Sequence, residues 1–179
     1  MFNLDKHPAQ ISNVNTRIER HGDERQLAVD VSMSIKVGSD TINALEPGLR
    51  GSLFRAPGSG EQVSLLNDSA LTAVKHPCLK PVQLSQKFPG YEMTVAPFGS
   101  DDDDGDFFVD VELKGFTVEA HEGGSCSITF KAGIAVDTGE AKALLEALIR
   151  EDALLTLVPP KAQAQQDASD EDVEEEEAA

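Results

Sequence analysis

From Leu27 to Val37 the chain reads LAVDVSMSIKV, an alternation that sends Leu27, Val29, Val31, Met33, Ile35 and Val37 to one side. Asp30, Ser32, Ser34 and Lys36 fall on the other side. Only an extended chain, whose successive side chains point in opposite directions, turns that spacing into one apolar and one wet face. The same period returns in FFVDVELKGFTVEA, where it sets Phe107, Val109, Val111 and Leu113 against Asp110, Glu112 and Lys114. Gly115 interrupts it, as a bulge or bend would. It appears a third time through Cys126, Ile128 and Phe130. The intervening HEGGS is a short glycine-bearing connection, so residues 107–135 are expected to form a long antiparallel hairpin. Shorter strand candidates are residues 62–66, 71–75, 82–85 and 91–96.

Two helices fit between these strands. DTGEAKALLEALIRED offers Asp137 or Thr138 as a cap, Glu140 in the first turn and a stripe of Ala141, Leu144, Leu145 and Leu148. DTINALEPGL is a short helix capped by Asp40 or Thr41 and stopped at Pro47. A last strand, residues 154–158, ends at Pro159–Pro160. After Lys161 the pattern dissolves into Ala, Gln, Asp and Glu, a composition that cannot bury enough apolar surface to fold. The expected architecture is therefore a β-dominated α+β domain over residues 1–160: a small antiparallel barrel, OB-like, or a sandwich, with one or two helices. A disordered acidic tail over residues 161–179 follows it.

Charge is where the chain departs from an ordinary globular protein. The net charge is −17 over 179 residues. Asp167, Asp170, Glu171, Asp172 and Glu174, Glu175, Glu176 and Glu177 lie in the tail, and five more acids lie in DDDDGD at 101–106. Without those two segments the body sits at about −4, which leaves room for a local basic surface.

No arrangement of a nucleophile with a base, and no phosphate loop, is detectable, so the expectation is a non-enzyme with no cofactor. The acidic loop fails as a calcium loop. With Gly105 in sixth place Ser100 would come first, and Glu112 falls one place late. His76 and Cys78 in HPC lack a second ligand pair at a zinc-like spacing. Two cysteines are too few for a disulfide framework, and Cys126 shares the apolar side of its strand, so a buried thiol is expected. The beginning MFNLDKHPAQ lacks a basic-then-apolar leader, and no apolar run approaches the roughly 20 residues that span a bilayer. A cytoplasmic setting without membrane contact follows as an expectation.

The bases are better grouped than the totals suggest. LRGSLFR carries Arg50 and Arg55 around Phe54, and Lys75, Lys80 and Lys87 precede Phe88 and Tyr91 in a stretch without acids. Cations that follow a phosphate backbone, with flat rings on which bases stack, are what single-stranded nucleic acid requires. The tail then reads as a tethered competitor, held near the body at about millimolar effective concentration. It would cover the basic groove until DNA displaces it, and then recruit partners.

This layout resembles phage and bacterial single-stranded DNA-binding proteins, which combine a small β-barrel with an acidic C-terminus. Those tails commonly end on an aromatic residue, whereas this one ends in Ala178–Ala179. The stretches MFNLDKHP, LTAVKHPCL and GFTVEAHEGGSCSITFKAGIAV through TLVPP also resemble a little-characterised family of tailed-phage proteins encoded among early replication and recombination genes. The resemblance implies a single-stranded DNA-binding accessory in a bacterial host cell, contacting replication or recombination proteins through its tail, and open to homo-oligomerisation. The rival readings are an acidic interaction module that imitates DNA to inhibit a host nuclease or defence complex, and a virion structural protein.

Overall fold

A computed structural model of the chain describes residues 1–21, 24–58, 71–98 and 105–160. The strand expected at 62–66, the acids at 101–104 and the tail from 161 lie outside the described residues.

Six strands close into a barrel. They are β1 (Leu4–His21), β2 (Glu24–Gly38), β6 (Phe88–Pro97), β7 (Asp106–His121), β8 (Ser125–Ala135) and β9 (Asp152–Val158). Around the barrel the order is β1, β2, β8, β7, β6, β9 and back to β1, with every neighbour antiparallel. The chain is thus β-dominated α+β and takes the small-barrel alternative rather than the sandwich. Closure gives each of the six strands a partner on both sides, which is how a small barrel avoids exposed strand edges. A further strand, β5 (Val82–Gln83), pairs with β7 at Val118 and Thr117.

The alternation in β2 does what its period demands: Val29, Val31, Met33, Ile35 and Val37 are all buried. Gly115 lies at φ +65°, and the β7–β8 register shifts between Lys114 and Thr117, so the expected bulge is present. In the first half of β7, however, the expected phase is inverted. Phe108 is buried, while Phe107 and Val109 are 56% and 59% exposed. Asp110 adopts φ +54°, and three residues of β7 span the interval covered by two of β6. That second bulge shifts the inward set by one.

β1 is the strand that periodicity did not reveal. Its register shifts between Leu4 and His7 against β9, and between Ile11 and Asn13 against β2. Each shift breaks the period-two pattern, so Leu4, Ala9 and Ile11 are buried without reading as an alternating run.

One end of the barrel is closed by α2 (Thr138–Arg150), which buries Ala141 and Leu144. Asp137 caps it: its side chain accepts from Glu140 N–H at 2.8 Å, and the Glu140 carboxylate accepts from Asp137 N–H at 2.8 Å. The other end is covered by the segment between β2 and β6. There the expected short helix is a 3₁₀ turn (Thr41–Ala44), followed past Pro47–Gly48 by α1 (Leu49–Leu53). The ribbon of β3 (Phe54–Arg55) and β4 (Ala73–Val74) comes next. The cap is fastened to the β7–β8 turn. Ser39 N–H donates to Gly124 O at 2.9 Å, Gly123 N–H donates to Thr72 O at 3.0 Å, and Val74 N–H donates to the Glu122 carboxylate. β9 finishes at this same end, with Leu157 opposite Leu4. No helix among the described residues is long and apolar enough to cross a membrane.

Candidate functional site

The cap gathers four of the five expected cations. Arg50 lies on α1 and Arg55 on β3, and Lys75 follows β4, its ammonium donating to Gly51 O at 3.4 Å. Lys80 lies on the strap that runs from β4 to β5 and makes no ion pair with a described residue. These groups are not equally available. Arg50 Nη1 meets Asp40 Oδ1 at 2.6 Å, and its Nε donates to Ser39 Oγ at 3.1 Å. Arg55 Nη1 donates to the Ala56 carbonyl at 3.2 Å. The Lys87 ammonium lies 3.9 Å from Glu112 on β7.

The three rings expected to stack bases are not on that surface. Phe54 and Tyr91 are each 1% exposed, and the Tyr91 hydroxyl donates to the Phe2 carbonyl at 2.8 Å. Phe88 is half-buried and packs edge-on against Phe116, with centroids 5.5 Å apart, and against Tyr91 at 6.4 Å. A base needs an open ring face, so Phe54 and Tyr91 are corrected from stacking residues to core residues. Phe88 joins them as part of the plug at the capped end. A signal for Tyr91 was present: it shares parity with Met93 and Val95, both buried. Phe54 carried no such signal, because its strand is two residues long.

A second group of charges escaped the sequence reading. Arg17 on β1 contacts Asp30 on β2, and it also meets Glu19 at 2.6 Å. Lys114 on β7 reaches Asp30 at 3.2 Å and Glu112 at 3.2 Å. β8 lies between β2 and β7, and Gly133 occupies the crossing point. A Cβ there would stand 3.0 Å from Lys114 Nζ and 3.2 Å from Asp30 Oδ1, so the bare glycine leaves room for the lysine to span the strand. These cations are neutralised by neighbours and offer little to an outside anion. The hairpin register also sets Arg20 directly opposite Arg25, both exposed, a like-charge pairing that disfavours the hairpin.

Burial alone would push the Asp30 carboxyl up. Hydrogen bonds from Arg17 and Lys114, with their charges, outweigh it and hold the group below its ordinary range. A depressed carboxyl contributes stability that is fully present above the unfolded value of about 3.9. That contribution is lost as pH falls through the folded value. The wild-type protein is therefore expected to lose urea resistance more steeply than Asp30→Asn as pH drops from about 5. Parallel acid limbs would refute the assignment.

The buried thiol expected at Cys126 is present. Cys126 is fully buried, which pushes its pKa up to about 11, while Cys78 is exposed on the strap. Because the thiolate is the reactive form, iodoacetamide should modify one thiol of the native chain, at Cys78, as read by intact mass. Among the described residues no group of three His, Cys, Asp or Glu side chains could hold a metal ion.

The cap also frames a cleft of about 260 Å³ between the strap and the end of β7, with Lys80, His76 and His121 among its lining. No known family, no curated protein and no solved structure matches this chain.

Proposed function

We propose that this protein is a non-enzymatic single-stranded DNA-binding accessory of phage replication or recombination, in which the barrel cap holds phosphates and the acidic segment 163–179 competes for the same cations. One observation carries the reading. Arg50, Arg55, Lys75 and Lys80 lie on the segment that covers the end of the barrel where β9 finishes, and the acidic segment follows β9 in sequence. A polyanion tethered to the same end of the barrel as the cations it would cover acts on them at a high effective concentration. With Phe54 and Tyr91 in the core, affinity comes mainly from phosphate contacts, so binding is salt-sensitive and indifferent to most sequence.

The test is a fluorescence-anisotropy titration of a labelled single-stranded oligonucleotide, using the full chain and a chain ending at residue 160. The truncated chain should bind more tightly at low salt. Absence of any binding by the truncated chain at low salt sinks the reading.

A second reading has its own support. Arg50 is already paired with Asp40, and Lys87 lies beside Glu112, so part of the expected basic surface is satisfied internally. The acids at 101–106 and 163–179 would then be the binding surface, presented to a basic nuclease or defence protein in imitation of DNA. It predicts co-purification with a basic partner and no affinity for oligonucleotides.

A further inference from the structure

We infer that the cleft between the strap and β7 is a subsite for one nucleobase carrying an exocyclic amino group, with Lys80 holding the attached phosphate. This inference rests on the single-strand reading above and deepens it, because sealing the expected rings in the core leaves a bound strand without a place for its bases.

The cleft has the dimensions and chemistry of such a subsite. At about 260 Å³ it lies below the roughly 300 Å³ at which drug-sized pockets begin, so its occupant is one ring system. Its floor is apolar, from Val74 at the end of β4 and Val118 on β7, both buried. Leu79 on the strap also lines it and is 55% exposed, an apolar side chain that a flat ring would cover. The strap is stiff: Leu79 N–H donates to His76 O at 3.0 Å across a turn, and Pro77 and Pro81 fix the backbone on either side. A preformed wall loses little entropy when a ligand enters.

The rim carries the specificity. Lys80 and Glu119 both line the cleft, yet neither makes an ion pair with the other or with any described residue. A ligand with an anionic group at one end and an N–H donor at the other would bridge them. A nucleotide of cytosine or adenine has that pattern, since a glutamate accepts from an exocyclic amino group. The neighbouring acid is otherwise engaged, because both oxygens of Glu122 lie 3.3 Å from the Val74 amide nitrogen. His121 has one ring nitrogen occupied, with Nε2 2.7 Å from Ser127 Oγ.

The experiment is an amide NMR titration of the full chain with dCMP, dTMP and inorganic phosphate. It is run on the wild type and on Glu119→Gln, with Leu79→Glu as a further variant at an exposed position. For the wild type, dCMP should move the amides of residues 79–80 and 118–122 and bind about ten-fold more tightly than dTMP, the effect of one charged hydrogen bond. Glu119→Gln should abolish that preference, and Leu79→Glu should abolish binding of both nucleotides. Equal affinity for dCMP and dTMP, or shifts from dCMP that match those from phosphate alone, would overturn the subsite. Oligonucleotide binding that survives Leu79→Glu unchanged would overturn it as well, and would leave the strand-binding reading standing. If dCMP binds as described and no oligonucleotide does, the subsite holds and the strand reading fails.

Discussion

Phe116→Ala is expected to lower the stability of the barrel by about 3–5 kcal/mol. The ring is fully buried at the centre of an aromatic plug. It stacks on Phe130 with centroids 5.4 Å apart and planes at 17°, and meets Phe2 and Phe88 edge-on at 5.8 and 5.5 Å. Truncation removes the transfer free energy of a phenyl group and leaves a cavity. The surrounding strands cannot collapse to fill it, because each is hydrogen-bonded on both sides in a closed ring. Typical total stabilities are about 5–15 kcal/mol, so this single change would remove a large share of the margin. Phe107→Ala is the control. On the phase inferred from sequence Phe107 would be a core residue, but it lies outward, and its removal should change stability by no more than about 0.5 kcal/mol. Urea unfolding of the two variants at unchanged m-value reads the difference. Similar losses from both would mean that the bulge at Asp110 is misplaced.

For the chain ending at residue 160, affinity for single-stranded DNA is expected to fall about fifty-fold between about 50 and 200 mM salt. The figure follows from the four cap cations. Each phosphate neutralised on a single strand contributes a slope of about −0.7, so four give roughly −3 on a double-logarithmic plot. Lys75→Ala with Lys80→Ala should flatten that slope by about 1.4. The full chain should bind about ten-fold more weakly at low salt, since its tethered acids act at about millimolar effective concentration. Its salt slope should also be shallower, because salt weakens the internal competitor along with the DNA. Alanine at Lys87 is expected to matter less, given the proximity of this residue to Glu112. A flat salt response from the truncated chain would argue that any binding is not carried by these phosphate contacts.

Much of the barrel was legible because its signals are local. β2, the β7–β8 hairpin, the Gly115 bulge and the Asp137–Glu140 capping box each announce themselves within a dozen residues. β1 stayed hidden, although it is the longest strand, because two register shifts scatter its inward residues. The candidate site was half legible. Clustering of bases along the chain did bring Arg50, Arg55, Lys75 and Lys80 into one cap. The rings beside them went inward, since an aromatic residue between two cations reads the same whether its strand presents it to solvent or to the core. Lys114 and Asp30 are far apart in sequence, and only β8 lying between their strands, with Gly133 at the crossing, makes them partners.

The amino-acid order alone determined that this chain would be strand-rich, where its best helix would start, and that its negative charge would be concentrated in two segments. These are properties of neighbouring residues, set by backbone periodicity, capping and composition. The tertiary structure alone decided which rings are sealed, which charges are already satisfied, and that a cleft opens beside Lys80. Each of those depends on strand register and on barrel closure, and a single-residue shift in register exchanges the inward and outward faces of a whole strand.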